Sequence, residues 1–266
     1  MIRKNTIKLL LSLQKKKARD EARLYVIEGD KLVREYLSCQ VPLKLLVAKP
    51  EFTGSLTPEQ ISLISESEPA SYDELKRVST LKTPHNAVAV VSYPGQETDP
   101  GMLLKGLCAA LELVQDPGNL GTIIRSAAWF GIRNIICSSG CADRYNPKVI
   151  QATMGAILHV GVQYLDLKEF LVSALDSGIP VFGAVMDGDI VYDAELGTKG
   201  VILLGNESKG ISDELMPYIT RKITIPCFGG PAPGLDSLNV GMAATILFSE
   251  FARRGKTGPG VRNHSK

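Results

Sequence analysis

From Cys108 to Ile225 the chain alternates short apolar runs with segments of helical periodicity, and this alternation constrains its fold more than any other feature. Strands are predicted at Cys108–Val114, Asn134–Cys137, Val160–Leu165, Val181–Val185, Val201–Leu204 and Lys222–Ile225. Helices are predicted at Leu120–Phe130, Lys148–Met154, Lys168–Asp176, Asp213–Tyr218 and Leu238–Arg253. Apolar strands joined by helices specify an α/β domain whose parallel sheet is covered on both faces.

Residues 5–97 follow a different rhythm. Helices are expected at Ile7–Gln14, Lys17–Ala22, Asp30–Ser38 and Pro58–Ile64, with another starting at Tyr72; strands are expected at Leu24–Ile27, Leu43–Ala48 and Ala87–Val91. This describes a small mixed sheet flanked by helices. The segment Tyr93–Gly101 is polar and rich in Pro and Gly, as linkers are. The expected organisation is a small α/β domain at 1–97, a linker at 98–103, a larger α/β domain at 104–255, and a basic, Gly-containing, disordered tail at 256–266.

Of the 266 residues, 44% are hydrophobic and 22% charged, which suits a soluble globular chain with room for two domains. No apolar run approaches the ~20 residues of a membrane span, and the start, Met1-Ile2-Arg3-Lys4-Asn5, lacks a signal-peptide core. Five scattered cysteines, an odd number, argue for reduced thiols and a cytoplasmic location. The net charge of +2 says little, but basic residues crowd residues 1–34. Lys15, Lys17, Arg19, Arg23 and Lys31 are the expected phosphate contacts, although the same run also suits a solvated helix face.

Several chemistries lack their motifs. Gly-x-Gly-x-x-Gly is absent, Gly205–Gly210 is not followed by Gly-Lys-Ser/Thr, and no Gly-x-Ser-x-Gly elbow occurs. Cys137 and Cys141 lie four apart without a second Cys/His pair, so no metal site is expected. His159, beside an apolar strand, reads as a hydrogen-bonded core residue.

What remains are three stretches: Asn119-x-Gly121-x-x-x-Arg125, then Leu204-Gly205-Asn206-Glu207-x-x-Gly210, then Ile225-Pro226 with a Gly/Pro-rich loop leading to Ser237-Leu238-Asn239-Val240. A buried strand ending in a glycine turn leaves backbone groups free to hold a small ligand, as does a polar helix start. In this order they resemble the signature motifs of the SpoU/TrmH family, RNA ribose 2′-O-methyltransferases of the SPOUT superfamily. Asn146-Pro147-Lys148 with Ala152–Ala156 is similar to a stretch between the first two motifs, and Lys17–Val33 to the family's ribosomal-protein-like substrate-binding domain.

The resemblance implies a SPOUT-type parallel sheet with a deep C-terminal trefoil knot, a homodimer, and S-adenosylmethionine (AdoMet) as cofactor. It implies cofactor contacts from Leu204, Gly205, Asn206, Ile225 and Leu238, and places Asn119, Arg125, Glu207, Ser237 and Asn239 around the reacting groups. The implied substrate is structured RNA, 23S rRNA first; tRNA, or a non-catalytic role in RNA binding and ribosome assembly, are the alternatives. An arginine side chain holds its proton at any physiological pH, so Arg125 is expected to clamp phosphate and steady the forming alkoxide. Glu207 could orient Arg125 or accept the proton. Taken singly, Asn119 also suits a helix N-cap, Arg125 a structural ion pair, and Ser237 a cap of the last helix. Two departures stand out: a long loop at 227–236, and Gly241 where a small Ser or Ala is usual.

Overall fold

The computed structural model describes residues 1–95, 103–230 and 237–255. Residues 98–102 of the expected linker, residues 231–236 of the long loop and the tail at 256–266 therefore lie outside the described residues. The chain forms two compact units, one of residues 1–96 with 143–158, the other of 97–142 with 159–266.

The chain begins with α1 (Lys4–Ser12), α2 (Lys16–Ala22), β1 (Leu24–Glu28), α3 (Asp30–Ser38) and β2 (Leu43–Ala48). There follow α4 (Pro50–Thr53), α5 (Pro58–Ser62), β3 (Ser67–Pro69), α6 (Tyr72–Val78) and β4 (Ala87–Ser92). Next come β5 (Leu107–Leu111), α7 (Pro117–Phe130), β6 (Asn134–Cys137), α8 (Pro147–Thr153), β7 (Gly161–Tyr164) and α9 (Leu167–Asp176). The last elements are β8 (Val181–Ile190), β9 (Gly200–Leu204), β10 (Arg221–Thr224) and α10 (Val240–Gly255).

The first unit's sheet has the order β1-β4-β2-β3, antiparallel except for β2 with β3. Ala87, Ala89 and Val91 of β4 face one core and Val88 and Val90 the other, as a two-residue period requires. On β2 a register shift between Leu43 and Leu45 resets that alternation, so Leu43, Leu46 and Ala48 join the first core while Leu45 and Val47 join the second. Helix α3 closes the first core through Val33, Tyr36 and Leu37; α1 and α6 close the second through Leu10, Leu75 and Val78. Capping boxes at Thr57/Gln60 and Ser71/Glu74 start α5 and α6.

Residues 143–158 belong to this unit rather than to the larger one in which 104–255 were expected to lie together. Tyr145 and Ile150 enter the first core. Gln151 Nε2 donates to the Glu28 carbonyl at 2.6 Å, and Asp143 pairs with Arg19.

In the second unit a six-stranded sheet runs β10-β8-β9-β5-β6-β7 with every pairing parallel. One face packs Cys108, Ala110, Ile136, Val181, Val201 and Leu203 against Leu167, Phe170, Leu171 and Ala174 of α9. Helices α7 and α10 pack together, with Ser126 Oγ and Thr245 Oγ1 2.6 Å apart and the Phe251 ring edge-on to Phe182 at 4.9 Å. Gly241 explains its own departure from a larger residue. A Cβ there would stand 3.2 Å from Thr122 Cγ2 and from Asn239 Oδ1, tighter than most real contacts.

Four expectations are corrected. The helix at Asp213–Tyr218 is only a short 3₁₀ turn, Met216–Tyr218, in which Pro217 has no N–H to donate. The strand expected to reach Val114 ends at Leu111, because Leu113 turns into the left-handed region with φ 53°. The strand at Val181–Val185 continues to Ile190, reaching β10 again after a register shift. His159 is exposed, not a core residue.

Candidate active site

With all strands of the second sheet parallel, their carboxyl ends share one edge. Ligands in open α/β sheets bind outside that edge, where the strand order reverses. The reversal falls between β5 and β9: the chain leaves β5 for β6 and β7, while β9 lies on its other side. The loops leaving these two neighbours are tied together. The Glu112 N–H donates to the Leu204 carbonyl at 2.9 Å, and Asn206 Nδ2 donates to the Leu113 carbonyl at 2.9 Å.

Beyond β9 the chain doubles back on itself. The Asn206 N–H donates to the Gly210 carbonyl, and the Gly210 N–H to the Asn206 carbonyl, both at 2.9 Å. Asn206 Oδ1 accepts from the Ser208 and Lys209 N–H groups at 3.0 and 3.1 Å. Gly205 is buried under this loop; a Cβ on it would lie 2.1 Å from Gly210 C and 2.3 Å from both Gly210 O and Ile211 N. The buried carboxylate of Glu112 braces the loop's far end by accepting from the Ser212 N–H at 2.9 Å.

Asp116 opens α7 by accepting the Asn119 N–H at 2.8 Å, with Pro117 at the first helical position. Asn119 is therefore not the cap, and its side chain is available elsewhere. Its Nδ2 donates to Glu207 Oε1 at 3.0 Å, and its Oδ1 accepts from Asn239 Nδ2 at 2.8 Å. Asn239 Oδ1 accepts from the N–H groups of Gly241 at 2.9 Å and Met242 at 3.3 Å, which makes Asn239 the cap of α10. Glu207, Asn119 and Asn239 thus form one chain of hydrogen bonds between residues 88 and 120 positions apart in sequence.

The remaining expected residues are placed differently. Arg125 is exposed on α7, and among the described residues no carboxylate pairs with it. Glu207 does not orient it: besides Asn119, that carboxylate accepts from Asn206 Nδ2 at 3.3 Å and the Asp116 N–H at 3.5 Å. Ser237 is exposed, and among the described residues it caps no helix, that place being taken by Asn239. Leu204 is the buried last residue of β9, Gly205 and Asn206 follow it, and Ile225 comes directly after β10. Leu238, half exposed, immediately precedes the cap Asn239. Sequence reasoning missed Asp116 as the residue that frees Asn119, although Asp-Pro at a helix start is a readable signal.

Cys141 supports the turn after β5. Its Sγ accepts from the Val114 N–H at 3.3 Å and donates to the Leu111 carbonyl at 3.2 Å. The hydrogen bond from Cys137 is the main influence bringing its pKa down to about 7, against the effect of burial.

On the first unit, Lys15, Lys17, Arg23 and Lys31 are exposed, with Lys17 3.9 Å from Glu21. Arg19 is a correction. It is only 2% exposed, donates to the Leu13 and Gln14 carbonyls at 2.9 Å and pairs with Asp143, so its charge is spent inside the fold and cannot meet a phosphate. The partner 124 residues away was invisible to local pattern.

Residues 106–249 match the model of the SpoU rRNA Methylase family, and residues 4–89 match that of the MRM3-like substrate binding domain. The chain is 28% identical over 238 residues to a Bacillus subtilis protein named 23S rRNA (guanosine(2553)-2′-O)-methyltransferase RlmP, covering 88% of this chain and 91% of that one. A solved structure from Porphyromonas gingivalis, assigned to RNA methyltransferases of the TrmH family, is 39% identical with a TM-score of 0.84, covering 96% of this chain and 100% of that one. An AdoMet-bound rRNA methyltransferase from Sinorhizobium meliloti is 27% identical with a TM-score of 0.80, covering 96% of both chains. With the family model spanning more than half of its length, and its motifs gathered at one sheet edge, the chain belongs to the SpoU rRNA methylase family.

Proposed function

We propose that this protein transfers the methyl group of AdoMet to a ribose 2′-hydroxyl of 23S rRNA. The observation that carries the reading is the bonded chain Glu207–Asn119–Asn239, which joins three motifs at the carboxyl edge of the parallel sheet. The substrate class rests on the Bacillus subtilis relative, whose name gives 23S rRNA 2′-O-methylation and which aligns over nearly its whole length.

The residues suit the cofactor. Backbone groups just past β9 and β10 and just before α10 offer uncharged donors and acceptors, and Leu204 and Leu238 are apolar, as an adenine site requires. When bound, AdoMet supplies a methyl group already activated by its sulfonium. The chain's own work is then orientation. The Gly205–Gly210 loop fixes the backbone edge; Glu207 holds the Asn119 amide, and Asn119 holds Asn239 at the start of α10. Arg125 clamps the RNA phosphate next to the reacting ribose and steadies negative charge on the 2′-oxygen as its proton passes to solvent water.

Glu207 is a positioning residue in this scheme. Glu207→Gln keeps the size but replaces an acceptor-only group with one that also donates. It is expected to lower kcat ~10-fold, with AdoMet affinity within about twofold of wild type. A steady-state comparison checks this, and an unchanged kcat would remove Glu207 from the scheme.

The proposal includes the SPOUT-type knot and a homodimer. Support for the knot is the return of α10, at the end of the described chain, to pack on α7; an experimentally traced chain in which the C-terminal segment threads no loop would overturn it. Support for the dimer is the surface of α7 and α10, where Trp129 is 83% and Met242 57% exposed. Trp129→Glu is expected to convert a dimer to a monomer in light scattering, and a monomeric wild type would refute this arrangement. A cytoplasmic location belongs to the same proposal, supported by five cysteines that are all free thiols. Among the described residues no helix is long and apolar enough to cross a membrane.

The test is transfer of labelled methyl from AdoMet to size-separated RNA from cells lacking this protein, with the label then located by digestion. A 2′-O-methylated nucleotide in 23S rRNA is the expected product. Label in tRNA would overturn the substrate, and no label at all would leave an RNA-binding or ribosome-assembly protein.

A further inference from the structure

The first unit contains a feature that its packing alone does not use up. The rings of Tyr25 and Tyr145 stack with centroids 4.5 Å apart, and the Tyr93 ring lies 4.2 Å from Tyr145, tilted by 33°. The Arg23 guanidinium carbon lies over the Tyr93 ring at 4.9 Å from its centroid. Tyr25 and Tyr93 are themselves 6.1 Å apart, so the three rings form one compact cluster that reaches from the core, where Tyr25 and Tyr145 are buried, to the surface, where Arg23 is exposed.

Its outer end is held in place. Arg23 is the left-handed cap of α2, with φ 55°, and its carbonyl accepts from the Tyr93 N–H at 2.9 Å. Tyr93 Oη donates to Asp20 at 3.0 Å, and Asp20 is itself neutralised by Lys16 at 3.0 Å. Nearby, Asp143 is taken up by Arg19. Among the described residues no carboxylate pairs with Arg23, so an exposed planar cation lies over the Tyr93 ring at the edge of the aromatic cluster.

We infer that Arg23, at the exposed edge of this cluster, is a stacking site for one unpaired base of the RNA substrate. The inference rests on the reading that the protein acts on RNA, and it deepens that reading by naming what one surface residue recognises. A guanidinium plane supported by tyrosine accepts any base by stacking and cation–π attraction, and unpaired bases are what protein surfaces read in RNA.

The test uses the full chain and a short oligouridylate carrying one 2-aminopurine, whose fluorescence falls when the base is stacked. Wild type is expected to bind and quench it. Arg23→Ala is expected to weaken binding about tenfold, the size of one stacked base, and to lose the quench, with Tm and AdoMet affinity unchanged. Arg23→Lys separates stacking from a phosphate contact, since it keeps the charge without the plane. It is expected to lose as much as alanine, with the salt dependence of binding unchanged. Wild-type affinity in Arg23→Lys, or an unchanged quench in Arg23→Ala, overturns the stacking site while leaving methyl transfer untouched. Failure of methyl transfer by the wild type, with the quench intact, would instead overturn the proposed function.

Discussion

Gly205→Ala is expected to be the most damaging single substitution in the second unit. The new methyl would stand 2.1 to 2.3 Å from backbone atoms of Gly210 and Ile211. Such an overlap is not relieved by a rotamer change, because both obstacles are main chain, and the loop between them is pinned by paired Asn206–Gly210 bonds. Either those bonds break or β9 shifts against β5. Overpacking where side chains can yield costs ~1–3 kcal/mol, and this site sits at or above the upper end. For a chain of this size that is a fall in Tm on the order of 10 °C. Because the same loop forms the proposed AdoMet edge, cofactor affinity should fall by at least ~10-fold, the equivalent of about 1.4 kcal/mol. Thermal unfolding and titration calorimetry check both parts. A Gly205→Ala protein that binds AdoMet as tightly as wild type would show that this loop does not hold the cofactor.

Arg125 should give the largest loss of activity with the smallest loss of structure. It is exposed and tied to no carboxylate among the described residues, while its neighbours Ile124 and Ser126 are buried and hold the helix in place. Arg125→Ala is expected to reduce kcat/KM ~100- to 1,000-fold, the range for removing a donor aimed at developing charge. Tm and AdoMet affinity should be those of wild type. Arg125→Lys keeps the charge but not the two-pronged geometry, so it should recover only a minor part of the activity. The salt dependence of RNA binding should weaken by about one phosphate contact in Arg125→Ala. Near-normal turnover by Arg125→Lys would rule out the bidentate clamp, and a large drop in Tm for Arg125→Ala would make the residue structural.

Much of the fold could be read directly from the sequence, for identifiable reasons. The apolar runs at Asn134–Cys137 and Val201–Leu204 appear as β6 and β9 with little change, because a strand buried on both faces has no other composition to choose. The helix expected at Leu120–Phe130 starts three residues earlier, at Pro117, since Asp116 supplies the cap. What escaped depended on distance. Nothing near Arg19 announced that Asp143 would bury its charge, and nothing near residues 143–158 showed that they pack in the smaller unit. At the site, residue types were legible but roles were not. Asn119 suited a helix N-cap and Ser237 the cap of the last helix, and only folding reveals that Asn119, Glu207 and Asn239 bond to one another. The expected helix at 213–218 failed because Pro217 interrupts it after too few residues to compensate.

The membership of residues 143–158 in the smaller unit carries a consequence for how the chain is made. A ribosome releases the polypeptide from its N-terminus, so the first 95 residues emerge long before Tyr145, Ile150 and Asp143. Until then Tyr25 lacks the ring it stacks on, and Arg19 lacks its counter-charge. The unit nearest the N-terminus is thus unfinished during synthesis of the first strands of the next one. It is completed only when the chain has passed residue 158, after β5 and β6 of the other unit have been made and before its remaining strands.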